Sequence, residues 1–322
     1  MPTLADLPPA IARLFAVLLG LVWGSFLNVV IHRVPLGQSI VRPSSRCPHC
    51  SAPIFAWHNI PVLSWVMLRG RSRCCATPIS PRYVLVEAAG GLHALAVLEA
   101  TVLALSPATD LLRAGMIFAS GLALGLGMIA VAFIDLEHMY IPDSISYGAT
   151  VLGLATFSLR PPLSFADAAL SAVGGCGVVW LIFGVAYRAF RGLTGMGLGD
   201  AKLLMAAGAW FGWRGALFVL LAGSVQGTIA AVAMLAAGGK IEVPQAVQRE
   251  REELLREVAA IEDPRDRARA EEELGQDPVF EPGGGGLGRA RIAFGPFLAL
   301  SIIEYLLVGP LLLEHLGPWL GW

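Results

Sequence analysis

The chain alternates long runs of apolar residues with shorter polar segments, and this alternation is its dominant pattern. The apolar runs reach roughly 18 to 25 residues, the length that an α-helix needs to cross a bilayer. A helix suits such a run because it pairs its own backbone polar groups in lipid. About eight spans are predicted, near residues 10–31, 83–105, 112–134, 144–159, 166–187, 201–212, 215–237 and 292–313. The predicted fold is therefore an all-α, polytopic membrane protein.

Composition agrees with a chain embedded in a lipid bilayer. Of the 322 residues, 56% are hydrophobic and 15% are charged, and the mean hydropathy is +0.67. Average soluble domains carry about 25% charged residues. The net charge of −1 hides a segregation, because segment 32–82 contains seven arginines and no acidic residue. The composition shows no uniformly basic surface, so it does not indicate a nucleic-acid partner.

The polar segments divide the chain into five regions. We expect a first transmembrane helix, a cysteine-containing loop, a transmembrane core, a charged helical insertion, and a last transmembrane helix with the C-terminus. These regions cover residues 1–31, 32–82, 83–237, 238–290 and 291–322. Alternation puts the loop and the insertion on one side of the membrane, and the positive-inside rule makes that side cytosolic. A chain reversal near Trp210-Phe211-Gly212-Trp213 is expected to separate the short sixth span from the seventh.

Two aspartates stand at the ends of apolar segments that this topology brings to the cytosolic side. Asp135 ends the third span and Asp200 begins the sixth. A carboxylate at the edge of the hydrocarbon layer is costly to place, so it usually has a function. Two carboxylates that share one proton can activate water and polarise a peptide carbonyl, which is the chemistry of an aspartic protease. The alternative is a structural role, with Asp200 acting only as a helix N-cap.

The surroundings of the two aspartates predict different roles for them. Asp135 lies at a helix C-terminus, where the helix dipole disfavours negative charge and suits the acid of the pair. Asp200 is expected to cap a helix that starts at Ala201, where the dipole and Lys202 favour the ionised form. The alternating glycines before Asp200 would let an extended substrate approach the backbone. These glycines are Gly195, Gly197 and Gly199.

Two further acidic residues are candidate supporting groups. Pro142 cannot continue the preceding helix, so Asp143 is predicted to cap the fourth span after a turn. Glu87 lies just inside the second span. It is expected either to pair with an arginine or to line the site.

The cysteines of the 32–82 loop form a candidate metal site. Cys47 and Cys50 make a C-x-x-C pair, and the adjacent Cys74 and Cys75 follow after 23 intervening residues. Zinc prefers four soft ligands in a tetrahedron, and a C-x-x-C turn is the usual half-site. The spacing therefore indicates a zinc site, with a metal-free knuckle as the alternative. No internal repeat is apparent.

The 238–290 insertion has the composition of a solvated helical hairpin. An apolar stripe runs through a segment rich in Glu and Arg, and Asp263-Pro264 predicts the start of a second helix. Docking of a partner is the alternative interpretation of this segment.

The motifs together resemble those of the type IV prepilin peptidases, the bacterial branch of the GxGD membrane aspartic proteases. The block Gly197-Leu198-Gly199-Asp200 carries the family signature, and the resemblance covers almost the whole chain. The matching segments are residues 24–33, 47–50, 59–65, 78–87, 134–143, 195–203 and 294–299. Two features depart from the family pattern. Ser72 stands where the second C-x-x-C would begin, and the charged insertion is longer than expected.

The resemblance implies an inner-membrane endopeptidase whose catalytic pair is Asp135 and Asp200. It implies prepilins or pseudopilins of a type IV pilus or a type II secretion system as substrates. Their basic leader would be removed at the cytosolic face, before a hydrophobic helix. It also implies N-methylation of the new amino terminus with S-adenosylmethionine as methyl donor. Two other functions are weighed: a protease-inactive methyltransferase or scaffold, and an ion-coupled transporter that uses membrane carboxylates.

Overall fold

The computed structural model describes residues 2–47, 49–54, 59–186, 197–237, 244–261, 263–276 and 293–320. Regular structure in these residues is helical apart from isolated bridges, which confirms the all-α prediction. Ten α-helices are described, numbered in chain order. They are α1 (Pro9–Arg33), α2 (Leu63–Met67), α3 (Arg82–Val97), α4 (Leu111–His138), α5 (Asp143–Ala155), α6 (Phe165–Val179), α7 (Leu198–Ala236), α8 (Gln245–Ala259), α9 (Pro264–Gln276) and α10 (Gly295–Leu320).

Helix α7 consists of two segments that run in opposite directions. Gly212 interrupts it with φ 71° and ψ −175°, a conformation that glycine adopts without strain. Residues 198–211 run beside α10 in the same direction, because Phe211 contacts the Tyr305 ring at the far end. Residues 213–236 return, since Phe218 contacts Tyr305 and Gly227 approaches Phe294 near the start of α10. The chain reversal predicted at residues 210–213 is confirmed.

The ends of the main helices collect at two faces of the bundle. An ion pair between Arg82 and Glu137 brings the start of α3 to the end of α4. The starts of α5, α7 and α10 lie at this same end, which we call the aspartate face. At the opposite face, the N-terminal segment joins the start of α4, where Leu111 N–H donates to Pro2 O at 3.0 Å.

Small residues allow the helices of the bundle to pack backbone against backbone. A Cβ at Gly20 would lie 2.4 Å from Gly90 O, so α1 and α3 touch along their glycines. A Cβ at Gly208 would lie 2.2 Å from Ser171 O, and the first half of α7 is equally close to α6. In lipid, such close packing replaces the hydrophobic effect as the force that associates helices.

Two apolar clusters fill the interior on either side of α4. One joins α1 and α3 to α4, and the other joins α5, α6, α7 and α10 to it. Many apolar side chains on the outer surfaces of α1, α6 and α7 are exposed, among them Phe15, Leu170 and Leu221. An apolar outer surface is what a helix bundle presents to lipid.

The predicted number of eight spans is not confirmed. By length and composition, five helical segments of the described residues could cross a membrane: Pro9–Arg33, Arg82–Val102, Leu111–His138, Phe165–Ile182 and Leu198–Ala236. Helix α5 and the 198–211 half of α7 each rise about 20 Å. That is less than the roughly 30 Å hydrocarbon core. The chain is polytopic, but two of its membrane segments are too short to cross alone.

The charged insertion forms helices α8 and α9, as predicted. Val247 and Val258 are buried members of the predicted apolar side of α8, which packs against α4. Asp263 caps the second helix, because its carboxylate accepts a hydrogen bond of 2.7 Å from Arg265 N–H. The predicted restart at Asp263-Pro264 is confirmed.

The α1–α3 contact predicts that Gly20→Ala destabilises the protein. The added methyl group would overlap the α3 backbone and lower the free energy of unfolding by about 1–3 kcal/mol. Gly115→Ala is the matched control, because nothing lies within 4 Å of a Cβ at that helical position. Denaturant titration in detergent micelles measures both variants. Equal stability of the two would contradict the packing argument.

Candidate active site

Asp135 lies in the last turn of α4 at the aspartate face. Met139 ends the helix in the left-handed conformation, with φ 49°, and the chain turns through Pro142 into α5. The Asp135 side chain is buried, with 5% of the residue exposed. Gly295 N–H, at the start of α10, donates a hydrogen bond of 3.0 Å to Asp135 Oδ2. The turn at Pro142 agrees with the prediction.

Glycine at position 295 is required by this contact. A Cβ there would lie 2.6 Å from Asp135 Oδ2 and 2.9 Å from Ile141 Cδ1. Contacts that short do not occur between real side chains, so any other residue would displace the carboxylate or the helix.

Asp200 is the third residue of α7, not the residue before its start. The helix begins at Leu198, three residues earlier than predicted, with Gly197 as N-cap. Asp200 Oδ2 accepts a hydrogen bond of 3.3 Å from Gly197 N–H. This is the arrangement in which the third residue of a helix satisfies the backbone donor of the N-cap. Asp200 is as well buried as Asp135, with 8% exposed.

Ile141 joins the two aspartate-bearing segments. A Cβ at Gly199 would lie 2.9 Å from Ile141 Cβ, so the start of α7 packs directly on this side chain. Gly295 approaches the same isoleucine from α10. The carboxylates of Asp135 and Asp200 are close enough for their negative charges to repel each other. The structure therefore brings the two predicted catalytic residues together at one face.

The alternating glycines before Asp200 have a different role at each described position. Gly199 packs on Ile141, so it serves helix packing, and its predicted role in substrate binding stays a prediction. Gly197 supplies the N–H that binds Asp200. Gly195 lies outside the described residues.

Lys202 pairs with Asp143 at the aspartate face. Its Nζ lies 2.5 Å from Asp143 Oδ1 and 5.3 Å from the centre of the Tyr147 ring. Lys202 is expected from the sequence to stabilise ionised Asp200, but in the structure it forms its ion pair with Asp143. Asp143 is the first residue of α5 and does not cap it, because Pro142 occupies the N-cap position. The pair joins the starts of α5 and α7 beside the aspartates.

Glu87 connects α3 to the cysteine loop. It is buried, and its Oε2 accepts a hydrogen bond of 2.6 Å from Val62 N–H. Val62 has φ 62°, a strained conformation for a β-branched residue. In the described residues the arginine nearest in sequence, Arg82, pairs with Glu137 and not with Glu87. The role of Glu87 in substrate binding stays a prediction.

The four loop cysteines form one cluster. The Sγ atoms of Cys47, Cys50, Cys74 and Cys75 all lie within 4.8 Å of one another. Cys47 and Cys75 are 3.7 Å apart, and Cys50 and Cys74 are 3.3 Å apart. A tetrahedral zinc with Zn–S bonds of about 2.3 Å separates its sulfurs by about 3.8 Å. The cluster therefore has the donor atoms and the size that zinc requires.

The cluster is built from two copies of the same turn, 25 residues apart. In the first, Cys47 N–H donates to Ala52 O at 2.9 Å, and in the second Ser72 N–H donates to Thr77 O at 2.8 Å. The residues after the second ligand, Ser51 and Ala76, both have positive φ. This repeat is absent from the sequence-based predictions. The shared spacing of Arg, Cys and Pro-Ile marks it in the sequence, at residues 46, 50 and 53–54 and at 71, 75 and 78–79.

Ser72 occupies the position that corresponds to Cys47, and the adjacent Cys74 supplies the fourth sulfur. Hydrogen bonds from Ser72 and Thr77 lower the pKa of Cys75 to about 5, which favours the thiolate that binds metal. Hydrogen bonding with Cys50 and Cys47 raises the pKa of Cys74 to about 12. The cluster thus keeps a proton unless a cation neutralises its sulfurs.

Comparison with known proteins assigns both halves of the chain. Residues 18–101 match the bacterial peptidase A24 N-terminal domain, and residues 122–232, which include both aspartates, match the type IV leader peptidase family. No solved structure matches.

Several curated relatives carry the name prepilin leader peptidase/N-methyltransferase. The relative from Myxococcus xanthus is 37% identical over 96% of this chain and 94% of its own length. The relative from Aeromonas hydrophila is 37% identical over 68% of this chain and 79% of its own length. The relative from Neisseria gonorrhoeae is 37% identical over 74% of this chain and 88% of its own length. The chain belongs to the type IV leader peptidase family.

Proposed function

We propose that this protein is a membrane aspartic endopeptidase that removes the leader of type IV prepilins or pseudopilins. The observation that carries the proposal is the convergence of Asp135 and Asp200, both buried and both at one face of the bundle. The names of the relatives support the substrate class. The arginine-rich loop lies at the same face, and the positive-inside rule supports cleavage at the cytosolic side of the inner membrane.

Burial of two neighbouring carboxylates favours a shared proton. Two negative charges close together in a weakly polar environment repel each other, so one carboxyl group stays protonated. The ionised aspartate then takes a proton from water, and the protonated one polarises the scissile carbonyl. The water oxygen attacks the carbonyl carbon and forms a tetrahedral diol. The diol collapses by cleavage of the C–N bond as a proton passes to the leaving amine. Each carboxylate accepts one backbone N–H, so hydrogen bonding alone does not decide which aspartate carries the proton.

Backbone donors hold the two carboxylates in position before substrate arrives. Gly295 N–H fixes Asp135 from α10, and Gly197 N–H fixes Asp200 from its own helix. Each contact orients one oxygen of a carboxylate. Preorganised groups cost no reorganisation during the reaction, which is how an active site lowers its barrier.

Methylation of the new amino terminus is a second proposed activity. It is supported by the relatives, whose names join peptidase with N-methyltransferase. S-adenosylmethionine would be the methyl donor. The alternative of a protease-inactive methyltransferase is separated by measuring both products with one prepilin substrate. The ion-coupled transporter has less support, because the two aspartates lie together at one face.

Zinc is the proposed ligand of the cysteine cluster. Cys47, Cys50, Cys74 and Cys75 would hold it, with Ser72 and Thr77 hydrogen-bonded to the Cys75 sulfur. The metal would supply structure, because a short loop of this kind has little apolar core of its own. The loop then reaches the helix bundle through Glu87 and Arg82.

Replacement of either aspartate by asparagine is expected to abolish cleavage. Asp135→Asn and Asp200→Asn each remove a group that transfers a proton, so the rate should fall by about 10²–10⁴-fold or more. Mass spectrometry of a prepilin product's amino terminus measures cleavage. Asp110→Asn is the control, because Asp110 caps α4 at the opposite face and asparagine also caps helices. A folded Asp135→Asn or Asp200→Asn variant with wild-type turnover would refute the mechanism.

Gly295→Ala is expected to lower kcat without a comparable change in KM. The new Cβ would displace the Asp135 carboxylate, and a shift of about 1 Å in a catalytic group can cost about 10²-fold in rate. Gly177→Ala provides the control, since nothing lies within 4 Å of a Cβ there. Steady-state cleavage of a prepilin peptide gives both constants. Full activity of Gly295→Ala would show that the Gly295 contact does not position Asp135.

The amount of zinc bound per chain is expected to depend on Cys74. Cys74→Ser should lose bound zinc, because Ser72 leaves the second turn with only one sulfur. Adding Ser72→Cys to that variant restores the C-x-x-C spacing and should restore one zinc per chain. Inductively coupled plasma mass spectrometry of purified protein measures the metal independently of activity. A Cys74→Ser protein with full zinc would exclude Cys74 as a ligand.

A further inference from the structure

An apolar groove runs along the outside of the bundle between α6 and the returning half of α7. Its volume is about 430 Å³, and its floor includes Leu204 of the 198–211 segment. Leu170, Gly174 and Val178 of α6 form one wall, and Leu217 and Leu220 form the other. We propose that this groove holds the apolar transmembrane helix of the substrate, the segment that follows the cleavage site. The assignment rests on the proposed peptidase function.

The groove ends at the level of the catalytic aspartate. A Cβ at Gly175 would lie 2.7 Å from Leu204 O, and one at Gly208 would lie 2.2 Å from Ser171 O. These contacts pair α6 with the 198–211 segment in opposite directions, so Val179 comes level with Asp200. Val179 lines the groove. Leu204 is one turn after Asp200 and shares its side of the helix.

The other described neighbours of Asp200 are closed by packing. On the side of α5, Gly199 lies against Ile141, and on the side of α10, Gly295 lies against Asp135 and Ile141. A helix of the substrate cannot enter through contacts of this kind. Within the described residues, the groove on the α6 side is the one that reaches the level of Asp200.

The lining of the groove matches an apolar helix. Apart from Asp167 and Ser171, its lining residues are apolar or glycine, and Asp167 is already bonded to Ser164 at the opposite face. The groove follows α6 from residue 167 to residue 179, about 18 Å at 1.5 Å per residue. Nothing lies within 4 Å of a Cβ at Gly174, so a helix can approach the α6 backbone closely.

Gly174→Leu tests the proposal by filling the groove. We expect cleavage of a complete type IV prepilin in proteoliposomes to fall at least tenfold in kcat/KM. Cleavage of a short peptide that ends a few residues after the cleavage site should stay at the wild-type value, because that peptide has no helix to dock. Gly177→Leu is the matched control, since its position on α6 has equally open space and does not line the groove.

The groove assignment and the peptidase function fail on different results. Undiminished cleavage of complete prepilin by Gly174→Leu would overturn the groove, as would equal losses on both substrates or an equal loss for Gly177→Leu. Wild-type protein that cleaves neither substrate would overturn the peptidase function itself, and the groove with it.

Photocrosslinking separates a substrate helix from a lipid chain. A benzophenone side chain at Leu217, in an Asp200→Asn background that holds substrate uncleaved, should crosslink to the prepilin helix. The same group at Leu92, which is exposed on α3, should not. Crosslinks from Leu217 to lipid alone would overturn the proposal.

Discussion

The site depends on how closely three helix ends approach one another at Ile141. Asp135 closes α4, Asp200 lies in the first turn of α7, and α10 begins at Gly295 beside both. A side chain at residue 199 or 295 would separate these ends, because a Cβ added at either position would lie 2.9 Å from a carbon atom of Ile141. The two carboxylates can therefore meet only while these two positions carry no Cβ. Their proximity is a consequence of backbone packing more than of any bond between them.

The reversal at Gly212 explains how Asp200 reaches the aspartate face on a short helix. The 198–211 segment enters the bundle, turns at Gly212 beside Leu163, and returns along α10. Trp210 anchors the turn, since its Nε1–H donates to Ala149 O at 2.7 Å and the Arg160 guanidinium stacks on its ring at 4.2 Å. Burial lowers the pKa of Arg160 to about 10. A half-length segment with backbone buried in protein is stable in a membrane because neighbouring helices cover it.

Much of this arrangement could be predicted from sequence, because the lengths of apolar runs and the residue types found in turns are local signals. The order of helices, the reversal at residues 210–213 and the meeting of Asp135 with Asp200 all follow from counting spans. The bond between Gly295 and Asp135 does not, since 160 residues separate the partners and glycine carries no chemical signal of its role. The predicted start of α7 at Ala201 is three residues too late. An aspartate at the third position of a helix can also bond a backbone N–H at the helix start, so Asp200 alone does not mark the first residue. The predicted number of eight spans is not confirmed, because α5 and the 198–211 segment are shorter than a full crossing.

The cysteine loop and the helix that carries Asp135 are physically connected, and the connection passes through α3. Glu87 holds the loop backbone at Val62, and Arg82, five residues earlier on the same helix, holds Glu137 in the last turn of α4. Asp135 stands two residues before Glu137 in that turn. A structural metal in the loop would therefore fix the start of α3, and through it the end of the helix that carries Asp135. With Ser72 at the first position of the second turn, Cys74 would supply the fourth sulfur of such a metal site.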